Sequence, residues 1–322
     1  MQTAIWNDIE SDLKLGAFLI TVAAQSLVGD QSATSGNLGK AALGHAYDAK
    51  RSAAEQVDYL EDLQVFDVSG TLFWKVARAC YDFVHKETPL DRIDTGDFQS
   101  DTLNMMTYFL SAIPRDSYAT SMGVHADRFQ ERRDRGDESP LPGLQLAAAA
   151  KANLVDYLQG FPSDPEFDLG FAPFEIAALA GMNISSVRNF VGPDGTKPIR
   201  SMPSELKIGV YGDPLDTLEW LAGRRNFNAG TLSADWPAWA ADRANTIEDV
   251  GALLGIYAWT NRITTDALAD RSGLPKKTVR AWTRGEIGSI DEAIALAGAA
   301  GIDPDLYADL VAHHAGGATA RI

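Results

Sequence analysis

The sequence predicts a mainly α fold: a helical N-terminal domain followed by two helix-turn-helix modules, the first with a short β-wing. Three observations predict it. Apolar residues recur at three- and four-residue spacing through most of the first 130 positions, which is the period of an amphipathic helix. No alternating strand or hairpin pattern stands out before residue 190. Two stretches 92 positions apart repeat one plan: a helix of small residues, a glycine, then a second helix with an apolar inner face.

Ile5 to Val28 and Ala41 to Leu63 have the helical period. Leu72 to Val84 places Phe73, Val76, Ala77, Cys80 and Phe83 or Val84 on one face, and Asp101 to Ile113 is ended by Pro114, which cannot continue a helix. Together they define an acidic all-helical domain over 1–135, suited to dimerisation or effector sensing. Residues 131–143 are charged and then rich in helix breakers, which predicts a linker or exposed loop at 136–143. Arg128, Arg132, Arg133 and Arg135 are interleaved with acids, so a solvated loop explains them more simply than a nucleic-acid patch. A helix over Leu144 to Leu158 opens a module spanning 144–232, and a last module spans 233–322.

Composition bounds the function. The length allows two or three domains, and Cys80 is the only cysteine. An internal disulfide and a multi-cysteine zinc site are therefore excluded, and a cytoplasmic setting fits. Met1 to Leu13 is polar and acidic, unlike the basic start of a secretory signal. The longest apolar stretch, Leu15 to Val28, contains Gln25 and Ser26 and is too short and mixed to cross a bilayer. No membrane partner is expected.

The net charge is −16, but it is unevenly spread. Residues 1–170 hold 26 acidic and 14 basic residues, whereas residues 171–322 hold 18 and 14. Within Arg262 to Glu286 six basic residues face three acidic ones, a positive island in an acidic chain. Phosphate neutralisation drives non-specific nucleic-acid affinity, so that affinity should be modest here.

A helix-turn-helix needs small residues where its helices nearly touch, a glycine where the backbone turns through positive φ, and apolar residues inside the second helix. The stretch from Pro173 to Phe190 supplies Ile176, Ala177, Ala180, Gly181, Met182, Val187 and Phe190 at those places. The stretch from Thr265 to Trp282 supplies Leu268, Ala269, Gly273, Leu274, Val279 and Trp282. An ordinary helical hairpin explains one such match more readily than two.

Through Val279, Trp282 and Gly285 at three-residue spacing, and the helical continuation Ile290 to Ala300, the second stretch resembles the helix-turn-helix of Cro and phage-repressor-like regulators. The resemblance implies bacterial or phage origin and a second helix that enters the major groove. Its outward residues would be Lys276, Lys277, Thr278, Arg280 and Ala281, with Arg284 near the far end. Lys276, Lys277 and Arg280 suit phosphates or guanine edges, and Thr278 either one. Pro275 suits the first turn of that helix. Thr264 or Thr265 caps the preceding helix, whose free N–H groups would donate to a phosphate.

The first stretch is followed by Gly192 to Ser201, by Leu206 to Tyr211 and by a helical Leu215 to Arg225. This resembles the MerR and excisionase-type winged helix-turn-helix. The resemblance turns Asn183, Ser185, Ser186, Arg188 and Asn189 outward, with Arg188 and Asn189 suited to reading bases, and sets Lys197 and Arg200 on the wing against the backbone. With one cation on its second helix, and Glu175 and Asp194 nearby, this copy also reads as a packing or protein-contact unit.

No catalytic, cofactor or metal constellation stands out. His45, His85, His125, His313 and His314 lack partners at metal-binding spacing. Cys80 sits on an apolar helix face, as a buried structural thiol would. The acids at Asp8, Glu10 and Asp12, or at Asp58, Glu61 and Asp62, read as solvated helix faces. Trp6, Phe73, Trp74, Tyr81 and Phe83 read as core before they read as a small-molecule or protein effector pocket. The leading expectation is therefore a sequence-specific regulator of transcription that binds double-stranded DNA and is not an enzyme. It would act as a homodimer on a two-fold site, or use both motifs of one chain in imitation of a dimer. A scaffold whose helix-turn-helix units contact protein partners is the alternative class.

Overall fold

The computed structural model describes residues 6–28, 68–112, 140–162, 170–193, 196–202 and 211–319. The helix expected over Ala41 to Leu63, the arginines at 128–135 and wing residues 206–210 lie outside them. The chain divides into two compact units: Gln2–Lys86 with Asp94–Ala149, and Glu87–Ile93 with Ala150–Ile322. The fold is mainly helical, with one small three-stranded sheet among the described residues.

The first unit contains α1 (Trp6–Val28), α2 (Leu72–His85), a π-helical turn at Phe98–Leu103, α3 (Asn104–Ala112) and the start of α4 (Pro140–Gln159). Thr71 caps α2 by accepting from Trp74 N at 3.1 Å, as a short hydroxyl does for a free helix N–H. The apolar face of α2 is buried as its spacing demands: Phe73, Val76, Ala77, Cys80, Phe83 and Val84. Phe73 stacks on Phe109 and Phe83 on Phe98, with centroids 4.6 and 3.8 Å apart. Trp6 meets Trp74 and Tyr81 edge-on. Phe73 and Phe83 are buried core, whereas Trp6, Trp74 and Tyr81 are half-buried, with the Arg78 guanidinium 4.9 Å over the Trp6 ring.

Two boundaries differ from the sequence expectation. Pro140–Gly143, placed in the linker, form the first turn of α4. Proline is tolerated there because the N–H it lacks has no helical partner, and buried Asp12 accepts the free N–H of Leu141 at 3.2 Å. The start of the helix expected from Asp101 is π-helical through Leu103.

The second unit holds the remainder of α4 and both turn motifs. Its elements are α5 (Pro173–Ala180), α6 (Ile184–Arg188), β1 (Val191–Gly192), β2 (Ile199–Met202), β3 (Tyr211–Gly212), α7 (Pro214–Ala222), α8 (Trp236–Ala241), α9 (Ile247–Thr260), α10 (Thr265–Ser272), α11 (Lys276–Trp282), α12 (Ile290–Ala300) and α13 (Pro304–Thr319). The sheet order is β1-β2-β3, with β1 parallel and β3 antiparallel to β2. Its strands follow α6 and lead into α7, which makes them the short wing with its closing helix.

Helix α9 is the axis of this unit. Every residue from Val250 to Thr260 except Ala252 is buried, as in a helix covered on all sides. Thr246 and Asp249 form its capping box, and Tyr307 of α13 donates to Val250 O at 3.1 Å. Helices α7, α8, α12 and α13 pack around it. The connection from α7 to α8 is not a loose linker, since Phe227, Ala229 and Leu232 are buried along it.

Candidate nucleic-acid interface

Each motif forms the helix, turn and helix that its spacing predicts. Gly181 closes α5 at φ 60° and Gly273 closes α10 at φ 73°, in the left-handed region that costs other residues about 1–2 kcal/mol. Asn183 caps α6 by accepting from Ser185 N at 2.8 Å and from its hydroxyl at 2.6 Å. Thr264 caps α10 by accepting from Ala267 N at 3.1 Å. Pro275 precedes α11 and Val279 and Trp282 anchor it in the core. The indole N–H of Trp282 donates to Glu292 at 3.0 Å.

The anchoring leaves a definite outer face on α11. Lys276, Lys277 and Arg280 are exposed, Thr278 and Arg284 half-buried. Lys276 pairs with Asp266 across the turn, both well exposed, and such surface pairs hold their partners weakly. Lys277 makes no ion pair among the described residues. Asp266, Asp270, Gly273, Leu274 and Lys276 line an open groove at the turn itself.

Thr265 departs from the expectation of a DNA contact. It is buried, its hydroxyl donates to Glu219 at 2.9 Å and accepts from the Trp259 indole at 3.3 Å. Thr264, one position earlier, faces the helix end instead. On the first motif, Asn183, Ser185, Arg188 and Asn189 are exposed and Ser186 is half-buried. The oxygen of Asn183 is already used by the cap. Lys197 folds back from the wing to donate to Arg188 O at 3.3 Å. Arg224 lies 3.9 Å over the Trp220 ring, a cation–π contact.

One cluster was not foreseen from the sequence. Asp213, Asp216 and Glu219, at three-residue spacing on α7 and its cap, gather one arginine from the wing and two from the second motif and its end. Arg280 Nε lies 2.9 Å from Glu219 Oε1. Arg284 bonds Asp216 and sits 3.8 Å from both Asp213 and Glu219. Arg200, from the wing, bonds Asp213 through its guanidinium and Asp216 through its backbone N–H at 3.0 Å. Asp213 also caps α7 by accepting from Asp216 N at 2.9 Å. Burial raises the Asp216 carboxyl above its ordinary value, opposed by Arg284 and reinforced by Asp213. Three cations meet three carboxylates, and two of them, Arg280 and Arg284, come from the six of the positive island, whose excess charge is thereby reduced from within the fold.

Among the described residues no group of three or more His, Cys, Asp or Glu is placed to hold a metal ion. No helix there is long and apolar enough to cross a membrane. Comparison with family models, with curated proteins and with solved structures returned no match.

Proposed function

We propose that this chain is a sequence-specific regulator of transcription that binds double-stranded DNA, with α11 as its principal recognition helix. The observation that carries the reading is the stance of α11. Its inner residues Val279 and Trp282 are locked into the core, while its first turn projects Lys276, Lys277 and Thr278 outward. A helix held in that way suits entry into a major groove, where its N-terminal residues meet base edges. The α5–α6 motif with its wing supports a second contact through Arg188 and Asn189. A homodimer on a two-fold site and a monomer using both motifs are both compatible with this reading.

The test is selection of bound sequences from random duplex DNA at moderate salt, with Lys276→Ala plus Lys277→Ala as control. Enrichment of one motif by the wild type and its loss in the control is the expected outcome. Failure of the wild type to enrich any motif sinks the proposal. Protein-partner binding is the second reading, and the pairing of Arg200, Arg280 and Arg284 with three carboxylates favours it. Sedimentation of the protein with and without the enriched duplex separates monomer from dimer binding.

A further inference from the structure

Residues expected to touch DNA from two different motifs converge on one face of α7. Arg200 comes from the wing, Arg280 from the recognition helix and Arg284 from the turn just past its end, and all three end on Asp213, Asp216 or Glu219. We propose that this carboxylate face is an intramolecular latch, occupying the three guanidinium groups so that a DNA phosphate must displace a carboxylate to engage them. The latch rests on the DNA-binding reading above and adds regulation to it.

The two sides of the latch differ in freedom. The side chain of Glu219 is 18% exposed and that of Arg280 57%, and Asp213 and Asp216 are likewise more buried than the arginines they hold. The carboxylates are also fixed by other bonds. Glu219 accepts from Thr265, itself tied to the buried Trp259 indole. Asp216 accepts from Arg200 N, and Asp213 from Asp216 N. The arginines are therefore the arms that swing and the carboxylates the fixed hooks. Carboxylate and phosphate present paired oxygens to a guanidinium in the same way, which makes one a direct competitor of the other. Lys277, outside the latch, remains free to make first contact.

The test uses the full chain and the isosteric double variant Asp216→Asn with Glu219→Gln. The amide oxygens can still accept from Arg200 N and the Thr265 hydroxyl, so the change removes charge with little loss of local bonding. Binding of a labelled random-sequence duplex is measured across a salt series by fluorescence anisotropy. The variant should bind more tightly at low salt, by on the order of tenfold, because freed arginines gain phosphate contacts. Its slope of log affinity against log salt should steepen by about 0.9 for each arginine released. If the wild type binds and the variant matches it in affinity and slope, the latch is wrong while DNA binding stands. If neither binds any duplex, the DNA reading itself fails and takes the latch with it. Should circular dichroism show the double variant unfolded, Glu219→Gln alone releases Arg280. An unchanged slope there overturns the proposal and a slope steeper by about 0.9 supports it.

Discussion

Gly251 lies in the second turn of α9, where the end of α11 crosses closest to it. A Cβ added there would stand 2.6 Å from Gly285 N and closer still to the Trp282 carbonyl oxygen. Both are backbone atoms, so no side chain can rotate away, and α11 itself would have to move. Two effects of Gly251→Ala compete. Replacing glycine by alanine inside a helix gains about 1 kcal/mol. Overpacking a core costs about 1–3 kcal/mol, and more where nothing yields. Because the opposing atoms are backbone, the cost falls in the upper part of that range, about 2–3 kcal/mol, and the clash wins by about 1–2 kcal/mol, or roughly 2–8 °C in Tm for a unit of this size. Gly298, in the last turn of α12, has no atom within 4 Å of such a Cβ. Gly298→Ala should therefore gain about 0.5–1 kcal/mol. Thermal and urea unfolding of the two variants beside the wild type read both signs. A Gly251→Ala protein as stable as the wild type would refute the close approach of α9 to the end of α11.

Two further outcomes follow from buried titrating groups. Burial pushes the Cys80 thiol up to about 12, so a thiol-specific disulfide reagent should react slowly with the native protein at pH 8 and at an ordinary rate in denaturant; fast native reaction would contradict the burial. Burial, the dominant influence, likewise raises the Glu175 carboxyl, with the bonds from Ala172 N–H and the Asn153 side chain only partly opposing it. The native state then holds this proton more tightly than the unfolded chain, so the contribution of Glu175 is fully present below the ordinary glutamate value and is lost as pH rises through the raised one. Glu175→Gln should gain on the wild type in urea titrations as pH climbs through that window, and parallel pH profiles would argue against it.

The parts of this fold that were legible in the sequence are those whose causes are local. Gly181 and Gly273 mark turns because the chain reverses there with a left-handed residue. Val279 and Trp282 read as the inner face because three-residue spacing on a helix keeps them together. The short wing near 191–212 was expected from the order of segments after the first motif and their resemblance to a winged helix-turn-helix, and three short strands stand there. Thr264 and Thr265 could not be told apart, because the choice of cap depends on where one turn begins. What stayed hidden was the partner of each charge. Arg280 meets Glu219 and Arg284 meets Asp216 across more than sixty positions, and nothing local in an outward-facing arginine distinguishes a hand extended to solvent from one already held. The three-residue spacing of Asp213, Asp216 and Glu219 marked one face of a helix, but not what would cover it. Reading formal charge alone therefore overstated the positive character of the island.

The buried connection between α7 and α8 carries a last consequence. Phe227, Ala229 and Leu232 sit in the core, and the Leu232 N–H donates to Asn261 at 3.2 Å. Tandem modules on a flexible tether can straddle targets of varied separation, as the tether takes up the difference. Here the joint is itself packed, so the distance and rotation between α6 and α11 are built in as in a caliper with its screw tightened. A nucleic-acid site engaged by both helices would have to match one phase of the double helix, and inserting a few base pairs between its halves would cost one contact or the other.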